Sequence, residues 1–366
     1  MKRSIFIIVA LVMVLLAVVH VSAHEELPDA MLEITVTATN GGRVYCNDEN
    51  WSALSGLEME RGTVITLEAM ENKGKFVYWK DEISKKIVSD DPTYTFTLIK
   101  DVNITAFFLP DSLLGTYGYV TFADINGRIF LSNYVSSGSS AKEPDTSWVE
   151  NPGYDLVGWK TDEWESVEAG EILLVRTDYE KKDVAYSLNV AGGIAEPSLD
   201  AYPYDEAVVI TADMSLVPQG KVFAGWNVNG EFVSGSKAFG LRVACDTEVE
   251  AVYADEAGEV LPTTAIIDAD TDIYSLGVSI LTIRNIPDEY ELVETGLLMA
   301  YGKGDKLTID SSSVTIAKAL GNEKRGMYRY NKNLGAGATL RVVPYAIYRM
   351  DDVLYITYGT EKEITK

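Results

Sequence analysis

Hydrolysis and group transfer at neutral pH draw on a short list of side chains, and this chain carries few of them: two histidines, His20 and His24, and two cysteines, Cys46 and Cys245. A Ser-His-Asp or Cys-His apparatus needs an imidazole beside its nucleophile, and a histidine-rich zinc site needs several. With both histidines inside the first 24 residues, neither can be assembled. Ser139-Ser140-Ala141-Lys142 and Ser234-Gly235-Ser236-Lys237 both fit Ser-x-x-Lys. The companion Ser-Asp-Asn and Lys-Thr-Gly elements are missing, so these read as chance matches in serine-rich turns. Gly74-Lys75, Gly220-Lys221 and Gly302-Lys303 are never followed by Ser or Thr, which removes a phosphate-binding loop. The 55 acidic residues could always supply a glycosidase pair, but nothing in the sequence singles one out. We therefore expect no catalytic residues, no bound cofactor and no enzymatic activity.

Asp268-Ala269-Asp270-Thr271-Asp272 imitates the start of a calcium loop, yet Ile273 and Ser279 stand where an EF-hand requires Gly and Glu. The expectation is no dedicated metal site and only weak surface binding of calcium. The 31 Lys and Arg against 55 Asp and Glu give a net charge of −24, which argues against a nucleic-acid partner or an anionic membrane.

Six tryptophans remain as candidates for contact chemistry. Trp79, Trp159 and Trp226 occupy one position of a repeat described below. They could form a ligand-stacking platform, but a buried indole removes ~150–250 Å² from water, enough to decide the stability of a small module. They are read as structural core. Trp51, Trp148 and Trp164 lie outside that position and are the candidates for ligand contact.

At the N-terminus, Lys2 and Arg3 precede an unbroken apolar run from Ile5 to Val19 and a small-residue exit at Val21-Ser22-Ala23. A helix of that run would span only ~22 Å, short of the ~30 Å hydrocarbon core. The pattern is that of a secretory signal cut after Ala23, with an uncleaved anchor as the rival reading. Cleavage would move the charge from −24 to −26, since both lost charges are basic. No cysteine lies near the end of the run, so a lipoprotein signal is not supported. Cys46 and Cys245, about 200 residues apart in different modules, are expected as two buried thiols. Such thrift suits a Gram-positive exported protein. The expected location is extracellular or wall-associated, with membrane contact only during export.

The remainder is organised by recurrence. Val64-Ile65-Thr66-Leu67, Gly74 to Trp79 and Asp101 to Phe108 parallel Val208-Val209-Ile210-Thr211, Gly220 to Trp226 and Asp246 to Tyr253. In the closing segments Ile104, Ala106 and Phe108 align without a gap on Val249, Ala251 and Tyr253, alternate positions that give each strand one apolar face. Gly153-Tyr154-Asp155-Leu156-Val157-Gly158-Trp159 repeats the heptad of residues 220–226 and supplies a third copy. Each copy opens with an alternating strand, and Asn126-Gly127 marks a hairpin. The only windows resembling helices, Trp164–Leu174 and Ser312–Leu320, are weak.

The copies resemble the Listeria–Bacteroides, or internalin B-repeat, modules of bacterial surface proteins. The middle copy is nearest to the parent form through Val120-Thr121-Phe122, Asn126-Gly127, Gly158-Trp159 and Val184-Ala185-Tyr186. The outer two are similar to the divergent form, with Ile65, Thr66, Ala69, Phe76 and Trp79 in the first. The third shortens that element to Ile210-Thr211-Ala212, and the first has Tyr78 where the others carry Gly. The resemblance implies a compact β-rich, β-grasp-like module used in exported proteins without catalysis.

From about Leu261, segments Ala265–Asp272, Val278–Ile283, Glu294–Ala300, Met327–Tyr330, Thr339–Tyr348 and Val353–Tyr358 read as short strands between turns, the spacing of an antiparallel sandwich. Through Val293–Leu298 and Arg341–Tyr348 this region is similar to a C-terminal domain of Firmicutes exported proteins.

The expected chain is therefore all-β, with minor α+β character at most: tandem small modules followed by a sandwich. Its divisions are a signal peptide (1–23), three repeats (24–109, 110–186, 187–254), a linker (255–260) and the sandwich (261–366). The expected function is that of a non-catalytic stalk, adhesin or interaction scaffold, drawn out as a rod by charge repulsion, with an unknown protein or glycan as partner. Carbohydrate binding through exposed aromatics is the alternative.

Overall fold

The structure, a computed structural model, describes residues 24–47, 49–51, 54–271, 277–321 and 323–366. The signal segment, Asp272 and Ile273 lie outside them, as do the side chains of residues 49–51, 54 and 55. Among the described residues strands predominate, with one short α-helix at Asp111–Leu114 and 3-10 turns at Glu163–Glu165 and Met214–Leu216. Neither weak helical window becomes an α-helix; the second holds the strand Thr315–Lys318 instead.

One three-strand unit recurs in each repeat. The opening strand lies parallel to the closing strand, and the closing strand pairs antiparallel with the strand that carries the tryptophan. In the first repeat these are Met31–Ala38, Val102–Pro110 and Gly74–Asp81, with Ile104 opposite Val36 and Ala106 opposite Trp79. In the third they are Leu188–Ala191, Thr247–Ala254 and Val222–Val228, with Val249 opposite Val190 and Ala251 opposite Trp226. The middle repeat uses Tyr117–Ala123, Ile172–Lys181 and Tyr154–Trp159, with Thr177 opposite Trp159. Alternation on the closing strand is what turns Ile104, Ala106 and Phe108 inward together.

The glycine before two of the tryptophans has a conformational task. Gly158 and Gly225 have φ of 148° and 150°, where the pairing with the closing strand slips by a residue. Side chains with a Cβ rarely adopt such a backbone, so glycine is what allows these two copies the positive φ they take at the bulge. Nothing crowds Gly158, so room for a neighbouring ring is not the reason for glycine there. The first repeat, with Tyr78 at that place, makes the same slip without a positive φ: Tyr78 stands opposite Phe107 and Phe76 opposite Phe108, which leaves Val77 over on the tryptophan strand.

The outer repeats add a second sheet behind the first. Gly42–Cys46, Val64–Glu71 and Thr93–Thr97, with Glu49–Trp51, back the first; Gly193–Glu196, Glu206–Ala212 and Ala238–Val243 back the third. The middle repeat has a single four-stranded sheet, with Ile129–Ser136 on its outer side. The C-terminal region packs the three-stranded sheet of Thr263–Asp270, Gly277–Asn285 and Arg325–Asn333 against a six-stranded one, sharing a core of Ile266, Val278, Ile280, Leu297, Met299 and Leu340.

Two findings correct the sequence reading. His24–Glu26 does not join the first repeat; it pairs antiparallel with Val353–Tyr358 in the C-terminal sheet, and Leu27 is buried in that sheet's core with Ile99. The modules also do not form a drawn-out rod. The first repeat meets the C-terminal region through Arg61, whose guanidinium binds Asp310 and the Pro28 and Ile99 carbonyls. It meets the middle repeat through Val77, Tyr78, Ile87, Leu109 and Tyr119. The middle repeat meets the third where Tyr154 lies 5.4 Å from Tyr204 and Gly153 leaves no room for a Cβ beneath that ring. The third shares a core with Ala265, Ile267, Leu281 and Ile283 of the C-terminal sheets. The contacts therefore run in a closed circuit. Apolar burial at four junctions outweighs a repulsion that water and salt screen.

Candidate binding surface

The three repeat tryptophans have three different surroundings. Trp79 and Trp226 are fully buried between the two sheets of their modules. Trp159 is only half-buried. The difference follows from the architecture, since the middle repeat has no second sheet and covers its tryptophan with the irregular segment around residues 137–153 and with the 3-10 turn. The core reading of Trp159 is thus corrected to a rim position.

Their indole nitrogens differ as well. Trp79 Nε1 donates to the Asp91 carbonyl at 3.0 Å and Trp159 Nε1 to Glu143 Oε1 at 2.8 Å. The buried Trp226 Nε1 finds no acceptor among the described residues. Trp79→Phe removes a hydrogen bond to a carbonyl that then keeps only the Ser89 hydroxyl at 3.3 Å, whereas Trp226→Phe removes a donor that was already unsatisfied. Trp79→Phe is therefore expected to cost about 1–2 kcal/mol more than Trp226→Phe in urea unfolding; equal losses would contradict the assignment.

Of the three candidate contact residues, Trp51 is described only in its backbone, opposite Val44. Trp148 and Trp164 both come to the middle repeat, beside Trp159. The rings form a row: Trp148 to Phe130 at 5.8 Å, Phe130 to Trp159 at 6.0 Å, Trp159 to Phe122 at 4.8 Å and Phe122 to Trp164 at 5.4 Å. Every contact in the row is edge-to-face, the favoured arrangement for aromatic quadrupoles, so no parallel ring covers an indole there. The Arg128 guanidinium closes one end, 4.3 Å from the Trp148 ring. Phe122 is fully buried and anchors the row to the sheet. Phe122 and Phe130 were not singled out from the sequence; the alternation of their strands was the available signal.

At the other end, Trp159, Lys160, Thr161, Asp162 and Trp164 line a shallow cleft of about 370 Å³. A second depression of about 420 Å³ adjoins it, lined by Asp162, Glu163, Glu165, Ser166, Glu171 and Leu173. The site joins an aromatic half to an acidic half. It offers aromatic side chains on one side and carboxylates on the other.

The remaining candidates are occupied structurally. Ser234 Oγ accepts from Asn285 Nδ2 at 2.7 Å and from the Ser236 amide. Asp268 lies on a strand, 3.7 Å from the Arg329 guanidinium, and burial raises its carboxyl above the usual range despite that cation. Among the described residues no cluster of three or more His, Cys, Asp or Glu could hold a metal ion. Cys46 is buried, Cys245 half-buried, and the two are not bonded to each other. Burial, aided by Asp268, pushes the Cys245 thiol up to about 11, which leaves it a poor nucleophile. His24 stacks on Tyr355 at 4.5 Å and bonds to the Tyr348 hydroxyl, a packing role.

Comparison with known proteins bears on part of the chain. No curated protein matches it. It aligns with the crystal structure of a DUF3823 family protein from Bacteroides uniformis at 9% identity and a TM-score of 0.21, over 69% of this chain and 99% of that one. Residues 32–112 match the model of the divergent InlB B-repeat domain, so the first of the three repeats is similar to that family.

Proposed function

We propose that the chain is a non-catalytic protein of the bacterial cell surface that works by binding, as an adhesin or interaction scaffold. The family match over residues 32–112 carries this reading, because it ties the repeat to surface proteins. The apolar run at residues 5–19, read as a cleaved export signal, agrees with it. Fractionation of the producing cells tests the reading: the protein is expected in the wall or medium, beginning at His24. Recovery from the cytosol with residues 1–23 intact would end it.

The cleft lined by Trp159 and Trp164 favours a second reading, in which the bound partner is a carbohydrate. Indoles stack well on the C–H faces of pyranose rings, and a shallow cleft suits an extended chain. A glycan array on the whole protein is expected to give binding that Trp164→Ala abolishes and that changes in distant loops leave intact.

A further inference from the structure

Three asparagines precede a glycine, Asn40, Asn126 and Asn229, and each pair sits in a turn between strands. Glycine has no side chain to shield its amide, so in such a pair the amide nitrogen can reach the carboxamide of the residue before it. Whether it does depends on how firmly the fold holds that carboxamide. Two of the three are held. Asn126 Nδ2 donates to Asp124 Oδ2 at 2.6 Å, and its Oδ1 accepts from the Arg128 amide at 3.1 Å. The Gly127 amide is engaged as well, donating to the Asp124 carbonyl at 2.9 Å. Asn229 Oδ1 accepts from the Glu248 amide at 2.8 Å, and its Nδ2 donates to the Ile267 carbonyl at 3.0 Å and the Asp246 carbonyl at 3.3 Å. Asn40 differs on each count. Its side chain is exposed and makes no hydrogen bond among the described residues, and the Gly41 amide donates none. The crossover that carries it, from the first sheet of the first repeat to the second, is anchored on both sides: Thr39 Oγ1 donates to the Phe108 carbonyl, and the Asn72 amide donates to the Gly41 carbonyl, each at 2.8 Å.

We propose that Asn40 is a site of spontaneous deamidation in the folded protein, while Asn126 and Asn229 are protected by the fold. The Gly41 amide nitrogen gives its proton to solvent and bonds to Asn40 Cγ; the Cγ–Nδ2 bond breaks and that nitrogen leaves as ammonia. Water then opens the cyclic imide. Addition at the side-chain carbonyl restores the original backbone and leaves aspartate, and addition at the main-chain carbonyl leaves isoaspartate, whose backbone runs through the side chain. Water is the only co-reactant, and no electrons are exchanged. Either product adds a negative charge to the crossover. Isoaspartate also lengthens the turn beside Gly41, where an added Cβ would lie only 3.0 Å from Gly74 Cα. At Asn126 and Asn229 the same step must first break the hydrogen bonds that hold the carboxamide, each worth several-fold in rate. The proposal is independent of what the protein binds.

The test incubates the full chain in mildly alkaline buffer, with a parallel sample kept unfolded in guanidinium. Both are digested under acidic conditions, where the reaction is slow, and the peptides holding the three asparagines are followed by mass spectrometry. In the folded protein the Asn40 peptide is expected to gain one mass unit and to separate into aspartate and isoaspartate forms, about 10-fold or more faster than the other two react. In guanidinium the three are expected to react at similar rates, because the bonds that protect two of them are gone. Asn40→Gln, a change at an exposed side chain that leaves folding intact, should abolish the rapid mass gain of the folded protein. Asn126 or Asn229 reacting as fast as Asn40 in the folded protein overturns the inference. So does an Asn40 that keeps its amide in the folded chain over a period in which the unfolded chain converts. A folded Asn40→Gln protein that gains mass as fast as the parent overturns it too.

Discussion

Replacing Trp226 by alanine is expected to cost about 3–5 kcal/mol, from the lost transfer free energy and the cavity left behind. The indole is fully buried, 5.3 Å from the Phe223 ring and 6.0 Å from that of Phe239. Its core also includes Ile267, Leu281 and Ile283 of the C-terminal sheets, so the loss should not stay within the third repeat. Urea unfolding is expected to show the third repeat and the C-terminal region losing stability together in one shifted transition. A melting curve like that of the unaltered protein would mean that the ring is not part of the core. A third repeat that melts by itself while the C-terminal sheets keep their stability would mean that the shared core is not cooperative.

The second large effect is expected at Arg61. Its side chain is 3% exposed and is held by Asp310 and by the carbonyls of Pro28 and Ile99. Arg61→Ala leaves those oxygens with a donor missing at a junction between modules, a change worth about 2–4 kcal/mol. Asp310 is half-exposed, so water replaces part of what it loses and the figure belongs mainly to the carbonyls. The expected signature is local: faster proteolysis near residues 27–31 and a larger radius in solution scattering, as the contact between the first repeat and the C-terminal region loosens. Asp310→Asn, which keeps an acceptor, should do much less. If both variants stay as compact as the parent protein, the circuit of contacts does not depend on this arginine.

What could be read from the sequence followed the period of the side chains. The closing strands were legible because Ile104 and Ala106 stand at alternate positions beside Asn103 and Thr105, and the same alternation recurs at Val249 and Ala251 beside Glu248 and Glu250. The long C-terminal strands were legible for their dense β-branched and aromatic content, although the structure extends several of them, such as Arg325–Asn333, by residues with no apolar signal. Lys362–Thr365 buries only Ile364 and gave too little pattern to read. His24–Glu26 has no apolar residue at all; its place is set by backbone pairing and by Leu27 next to it. The site was half legible. Trp148 and Trp164 were marked as contact residues, but their meeting with Trp159 depends on the missing second sheet of the middle repeat, a difference that repeat motifs shared by all three copies do not carry. The acidic depression escaped notice because one carboxylate among 55 has no distinguishing neighbour in sequence.

The pairing of His24–Glu26 with Val353–Tyr358 bears on the order in which the molecule is completed. A ribosome delivers the first of these strands long before the second, and the interacting His24 and Tyr348 stand 324 positions apart. Residues 24–26 must therefore wait, unpaired, until residues 353–358 have been made, so this pairing closes late. Any chain broken off before residue 353 would leave residues 24–26 without their partner strand and more open to peptidases than in chains that carry both.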